Sequence, residues 1–339
     1  MPAASPIPLI DLSANPSAED LAADILRAVS SIGFLFFKVP VDGDLSRENV
    51  RRAFAIHKAI FDSPLDDRLA CARKEGLQNG YLRFSEARLA ESKGAGDLKE
   101  SFNWGTRHAD DGVVPDEPLP PSVEPARAEL DAFHAACFGL VCQILDAFSI
   151  ALNLPKDFFR SKHFQGGNTL ALINYPPVSR SSASAAASRA SVHKDWGSVT
   201  LLFQEENGTP GLEVFLPDGA VEASTQDAPY QLMQDTDLTK GTWHSAPVIP
   251  GTVLVNLGLA LEGWTGGIMR ATLHQVMPTA DGADGLRGRR SIAYFANPRG
   301  DVVLNPISAD GTIKEDAKAK TMKEFLEDRI KTTEAAAAA

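Results

Sequence analysis

The sequence predicts an α+β, mainly β chain: a jelly-roll core carrying an N-terminal helical cover. Three observations carry this expectation. Amphipathic helical stretches dominate as far as Arg160, short β-runs separated by turns dominate from there to about Gly300, and no internal repeat interrupts either part. Helices gathered first and strands afterwards pack as layers around a shared core. Many short strands with turn signals between them close as a sandwich or barrel.

In chain order, residues 7–12 read as a short strand and 18–32 as a helix introduced by Ser17, a good N-cap. Residues 33–39 (GFLFFKV) are an aromatic-rich strand, and 46–62 a helix with Phe54 and Phe61 on one face. The stretch 74–121 is rich in Gly, Pro and charge and is expected to be mostly loop. Residues 124–152 form a long packing helix whose stripe runs through Leu130, Phe133, Cys137, Leu140, Val141, Ile144, Leu145 and Phe148. Strands are expected at 170–175, 199–204, 212–216, 252–256, 273–277 and 291–295. Residues 179–191 (SRSSASAAASRAS) are low in complexity and read as a loop beside the pocket. The terminal alanine run reads as frayed helix. The chain divides as a single unit, 1–339: an N-terminal region 1–120, a packing helix 121–160, a jelly-roll core 161–300 and a C-terminal segment with a helix, 301–339.

Composition narrows the function classes. A formal net charge of −11 argues against a nucleic-acid surface, which needs clustered Lys and Arg. Three cysteines, without CxxC spacing, give no disulfide framework and suit a reducing compartment. There is no signal-peptide pattern and no unbroken apolar run of about 18 residues, so a cytoplasmic protein with no membrane span is expected.

The most informative segment is 192–202, VHKDWGSVTLL. On extended backbone, residues two apart point the same way, so His193 and Asp195 present an imidazole and a carboxylate to one side and Lys194 faces the other. His274 stands between Leu273 and Val276 on a short apolar strand, where a polar ring needs a purpose. Two imidazoles and one carboxylate on one face of a metal leave three positions open. By the same alternation Arg289, Ser291, Ala293 and Phe295 share a face. A guanidinium fork beside a hydroxyl is a carboxylate site, and Tyr175, just before Pro176-Pro177, is a further donor. Phe295 either lines the pocket or is a core aromatic. His134 reads as a satisfied surface or core histidine rather than a ligand. His57, His108, His163 and His244 lack comparable context and read as non-ligands, His244 being the one nearest to a substrate role.

Taken together, INYPP, HKDWGSVTLLFQ, PGLEV, IPGTVLVNLG, the Trp264-Thr-Gly-Gly turn, ATLHQV and RRSIAYFANP resemble the isopenicillin N synthase-like family of Fe(II)/2-oxoglutarate dioxygenases. That group includes plant flavonoid and gibberellin oxygenases and fungal thymine hydroxylase. In the N-terminal region, IPLIDLS, GFLFFKVP, Asn79-Gly80-Tyr81 and DLKESF also resemble it. The resemblance implies a double-stranded β-helix with Fe(II) on His193, Asp195 and His274. It implies that Arg289 and Ser291, assisted by Tyr175, grip the distal carboxylate of 2-oxoglutarate. It implies oxidation of a small molecule by O2 with release of succinate and CO2, ending in hydroxylation, desaturation or ring formation. Tyr81 and Phe102 stand where family members present substrate-contacting segments.

The chain departs from the family pattern at Ile173, Leu259 and Gln275, where Asn, Asp and Arg are usual. It also departs in the length between Asp195 and His274, the excess falling in 221–245. An iron oxidase that does without 2-oxoglutarate, a catalytically silent small-molecule binder and a zinc hydrolase remain open alternatives. The substrate expected is small, fairly apolar or heteroaromatic.

Overall fold

The computed structural model describes residues 5–11, 17–39, 42–74, 79–83, 98–105, 118–179, 189–218, 237–281 and 285–338. The chain opens with β1 (Leu9–Asp11), α1 (Ala18–Ser31) and β2 (Phe34–Lys38), β1 and β2 pairing in parallel. Ser17 caps α1, its hydroxyl accepting from the Asp20 amide at 3.1 Å. Gly33 turns the chain from helix to strand at φ +72°, where a Cβ would meet the Arg270 carbonyl oxygen at 2.5 Å. Then come α2 (Arg47–Asp62), capped by Ser46, and the short α3 (Leu65–Ala70).

The stretch expected to be mostly loop contains two strands, β3 (Gly80–Leu82) and β4 (Glu100–Gly105). Their stability is tertiary: β4 pairs along its full length with β5 (Thr169–Tyr175) and buries Phe102 and Trp104, which local composition does not reveal. Between them in the chain lies α4 (Arg127–Ala151), packed on α1 and α2 and across the back of the sheet. With its leading turn (Glu124–Ala151) this helix is by length and composition apolar enough to cross a membrane, which the search for an unbroken apolar run did not reveal. Here its stripe is covered by the helices and strands it packs on.

After β5 follow β6 (Val178–Ser179), β7 (Ala190–His193), β8 (Val199–Gln204), β9 (Leu212–Pro217), β10 (Gly241–Ser245), β11 (Thr252–Leu257) and α5 (Leu259–Trp264). Then come β12 (His274–Val276), β13 (Ala280–Asp281), β14 (Gly285–Leu286), β15 (Arg289–Ala296) and α6 (Met322–Ala338). The main sheet has eight strands in the order β1-β2-β11-β8-β15-β5-β4-β3, and a second sheet runs β10-β9-β12-β7. The expected strands appear at their expected places. α3, β6, β7, β10, α5, β13 and β14 were not anticipated, and residues 180–188 and 221–236 lie outside the described residues.

The two faces of the main sheet have different work. Leu201, Phe203, Ile292, Tyr294, Leu170 and Leu172 face α4 and form the larger core. The opposite face packs Phe34, Phe36, Leu254 and Tyr175 against Ala190, Leu212, Val214 and Val276 of the second sheet. That inner space between the sheets is where the polar residues singled out in the sequence converge.

Candidate active site

The second sheet brings the two histidines together: β12 pairs with β7 so that His274 lies opposite His193. Each Nε2 is 3.7 Å from the same oxygen, Oδ1 of Asp195, and the three donor atoms lie within 4.8 Å of one another. Both imidazoles are fixed in one tautomer. Nδ1 of His193 donates to the Ser191 carbonyl at 2.6 Å and Nδ1 of His274 to that of Thr272 at 3.0 Å. A carbonyl can only accept, so the proton sits on Nδ1 and each Nε2 offers a lone pair.

The carboxylate is oriented in the same way. Asp195 Oδ2 accepts from Thr200 Oγ1 at 2.6 Å and from Asn256 Nδ2 at 2.7 Å, leaving Oδ1 for the centre of the triad. Burial works to raise the Asp195 pKa, but the neighbouring histidines and these two donors hold the carboxyl below its ordinary range. Burial, reinforced by His274, pushes the His193 imidazole down to about 3. Two unprotonated nitrogens and an ionised oxygen aimed at one point fit a divalent cation bound on one face, with positions left for other ligands.

The loop carrying His193 and Asp195 is clamped from behind. The amides of Leu259 and Ala260, opening α5, donate to the carbonyls of Asp195 and Trp196 at 2.8 and 3.0 Å. Gly258 must be glycine, because a Cβ there would sit 2.2 Å from the Gly197 carbonyl oxygen. Lys194 points away from the triad as alternation requires, and its Nζ lies 3.5 Å from Glu262 Oε2 in a buried pair. The other oxygen of Glu262 accepts the Ala271 amide at 3.0 Å, tying the loop to the segment that leads into His274.

On β15, Arg289 lies opposite Tyr175 of β5, its guanidinium carbon 5.3 Å from the centre of that ring. Nη1 donates to Ser291 Oγ at 3.0 Å and Nη2 to Gln204 Oε1 at 3.3 Å, while the buried Nε has no partner. The residue is only 4% exposed, and among the described residues it makes no ion pair with a carboxylate. A buried cation without a counter-charge is costly unless a bound anion supplies one. Gln204 was not singled out in the sequence; its place opposite Ser291, on the face that carries Thr200, is the signal that would have found it.

Phe295 is half-buried on this inner face, opposite Thr200. Tyr81 and Phe102 are not. On β4 the residues opposite Ile173 and Ala171 are Ser101 and Asn103, so Phe102, opposite Leu172, faces α4 in the larger core with Tyr81 beside it. The Tyr81 hydroxyl donates to Glu100, which also accepts from Arg68 and Asn174. Position in the chain suggested a substrate role for these two; the pleat turns them to the other side. His57, His134 and His163 are buried core histidines bonded to backbone carbonyls. His244 lies opposite Val214, which lies opposite His274, so it shares their face two strands away. His108 lies outside the described residues.

Comparison with known proteins agrees with this geometry. Residues 7–126 match the family model described as non-haem dioxygenase in morphine synthesis N-terminal, and residues 167–298 match that of the 2OG-Fe(II) oxygenase superfamily. The UPF0676 protein C1494.01 of Schizosaccharomyces pombe is 30% identical over 335 residues, covering 96% of this chain and 92% of the relative. The proline hydroxylase buaE of Petromyces alliaceus is 30% identical over 310 residues, 88% of each chain. Among solved structures, Neurospora crassa thymine hydroxylase with alpha-KG superposes with a TM-score of 0.77 at 23% identity, covering 96% of both chains. The chain belongs to the 2OG-Fe(II) oxygenase superfamily. It is an Fe(II)- and 2-oxoglutarate-dependent dioxygenase that oxidises a small organic molecule with O2, releasing succinate and CO2.

Proposed function

We propose that Fe(II) is held by His193 Nε2, Asp195 Oδ1 and His274 Nε2, and that Arg289, Ser291 and Tyr175 hold the distal carboxylate of 2-oxoglutarate. The observation that carries this reading is the pair of 3.7 Å approaches of two imidazole Nε2 atoms to one carboxylate oxygen. When bound, the iron supplies activation of O2 coupled to oxidative decarboxylation of the 2-oxo acid. The protein's share is to fix the ligand orientations through Thr200, Asn256 and two backbone carbonyls, to anchor the cosubstrate, and to keep water out.

The substrate is a small ring compound, seated against Phe295 on the inner face. Phe295 supplies a flat apolar surface next to Thr200, which itself holds Asp195. A proline hydroxylase is among the relatives, and a solved neighbour was crystallised with thymine, both small rings.

The test is anaerobic addition of Fe(II) and 2-oxoglutarate to metal-free protein, followed by its weak visible charge-transfer band. The band is expected with the unaltered chain and absent from His274→Ala. Arg289→Lys, which loses the planar fork, is expected to raise the 2-oxoglutarate concentration needed about tenfold or more. An unchanged requirement would remove Arg289 as anchor. CO2 release from labelled 2-oxoglutarate, stimulated by one member of a panel of small cyclic acids and pyrimidines, would identify the substrate. Iron-dependent turnover without that release would favour the oxidase reading instead.

A further inference from the structure

Arg189, just before β7, is among the largest fully buried side chains, 1% exposed. Its Nη1 donates to the Pro176 carbonyl at 2.9 Å and its Nη2 to that of Arg287 at 2.5 Å, while Nε is buried with no partner. The two carbonyls belong to the residue after Tyr175 and to the second residue before Arg289. Its guanidinium carbon is 5.9 Å from the Tyr175 ring centre, and that of Arg289 is 5.3 Å from the same ring. The phenol of Tyr175 therefore has two buried guanidinium groups beside it. Among the described residues neither makes an ion pair, and the sequence from Pro176 to Lys194 contains no Asp or Glu.

Two carbonyls satisfy hydrogen bonds but do not neutralise a charge. Two like charges beside one ring repel in a medium of low polarity, and an anion bound next to them relieves both. A single anchoring arginine with its serine would already suit one carboxylate. The second cation, beside the same tyrosine ring, raises the potential of the pocket.

We propose that the 2-oxoglutarate pocket is a two-arginine site. Arg189 is its positioning residue, stapling the ends of β5 and β15 and supplying a second positive charge that favours a dicarboxylate over a monocarboxylate 2-oxo acid. This rests on the reading of Arg289 as cosubstrate anchor.

The experiment compares 2-oxoglutarate with 2-oxobutyrate, which lacks the distal carboxylate, as ligands of the Fe(II)-loaded protein under anaerobic conditions. Affinities are read from the charge-transfer band and checked by thermal shift. Arg189→Gln is expected to weaken 2-oxoglutarate about tenfold and 2-oxobutyrate less than about twofold, with Fe(II) affinity unchanged. Arg189→Lys, which keeps the charge and loses the two-carbonyl fork, is expected to retain most of the preference, and stays informative if the Gln variant does not fold.

Equal weakening of both acids by Arg189→Gln would mean that Arg189 is a staple only, and loss of the preference in Arg189→Lys would mean that its charge does not set it; either result overturns the proposal. An unchanged preference in Arg189→Gln overturns it as well. Arg289→Gln separates the two readings. If it abolishes the preference while Arg189→Gln does not, only this inference fails; if it too leaves the preference intact, the anchor assignment fails first.

Discussion

His193 and His274 face each other as register partners across β7 and β12, their ring centres 4.2 Å apart and both Nε2 atoms turned to one oxygen of Asp195. One histidine stands at the end of β7 and the other on a strand some eighty residues later. A sheet pairing, not chain proximity, makes them a pair.

Because Oδ2 of Asp195 is held by Thr200 and Asn256, metal affinity depends on groups that never touch the metal. Thr200→Val and Asn256→Ala are each expected to weaken Fe(II) binding by about 10- to 100-fold. Anaerobic Fe(II) titration checks this. Affinity unchanged in both variants would show that the carboxylate is oriented by something else.

The Lys194–Glu262 pair is buried on both sides, so breaking it leaves a charge without its partner. Glu262→Gln is expected to cost about 3 kcal/mol in urea unfolding and to weaken Fe(II) binding as the strap to Ala271 loosens. The double variant Lys194→Met/Glu262→Met should recover most of the stability. If the single and double variants were equally destabilised, the isolated charge would not be the cause.

Phe295 and Phe102 lie on opposite faces of one sheet, and truncating them should produce different losses. Phe295→Ala is expected to raise KM for the substrate with a small change in stability. Phe102→Ala, in the core against α4, should lower stability by about 3–5 kcal/mol. Steady-state kinetics beside denaturant melts distinguishes the two, and a KM effect confined to Phe102 would reverse the assignment of faces.

Stability should fall on acidification. His57, His134 and His163 are pushed by burial down to about 4, against an ordinary value of about 6.5 in the unfolded chain. Between those values the unfolded state binds more protons, so unfolding becomes easier as pH falls through about 6.5 towards 4. The slope is up to about 1.4 kcal/mol per pH unit for each histidine. Denaturant midpoints of the metal-free protein between pH 7 and pH 4.5 measure it, and a flat profile would contradict the buried neutral state.

Much of the site was legible before folding was known, for identifiable reasons. The two-residue spacing of His193 and Asp195, and of Arg289 and Ser291, survives into the structure because extended backbone alternates wherever it is. The helices α1, α2 and α4 followed from their apolar stripes, and α1 also from its Ser17 cap. What was not legible involves partners distant in the chain. β3 and β4 looked like loop because their pairing with β5 is absent from local composition. α5 was missed because six residues give too short a pattern, and it is held by carbonyls of the ligand loop.

By itself, the sequence determined which residues are equipped to bind a metal and a carboxylate, and which neighbours within one strand share a side. Only the tertiary structure decided which side looks into the space between the sheets, turning Phe295 to the face that carries Thr200 and sending Tyr81 and Phe102 to the opposite core. It also decided that Gln204 reaches Arg289 and that Arg189 lies beside Tyr175. Alternation is a local property of the backbone, but inside and outside are set by the layers that cover each face, and those layers come from elsewhere in the chain.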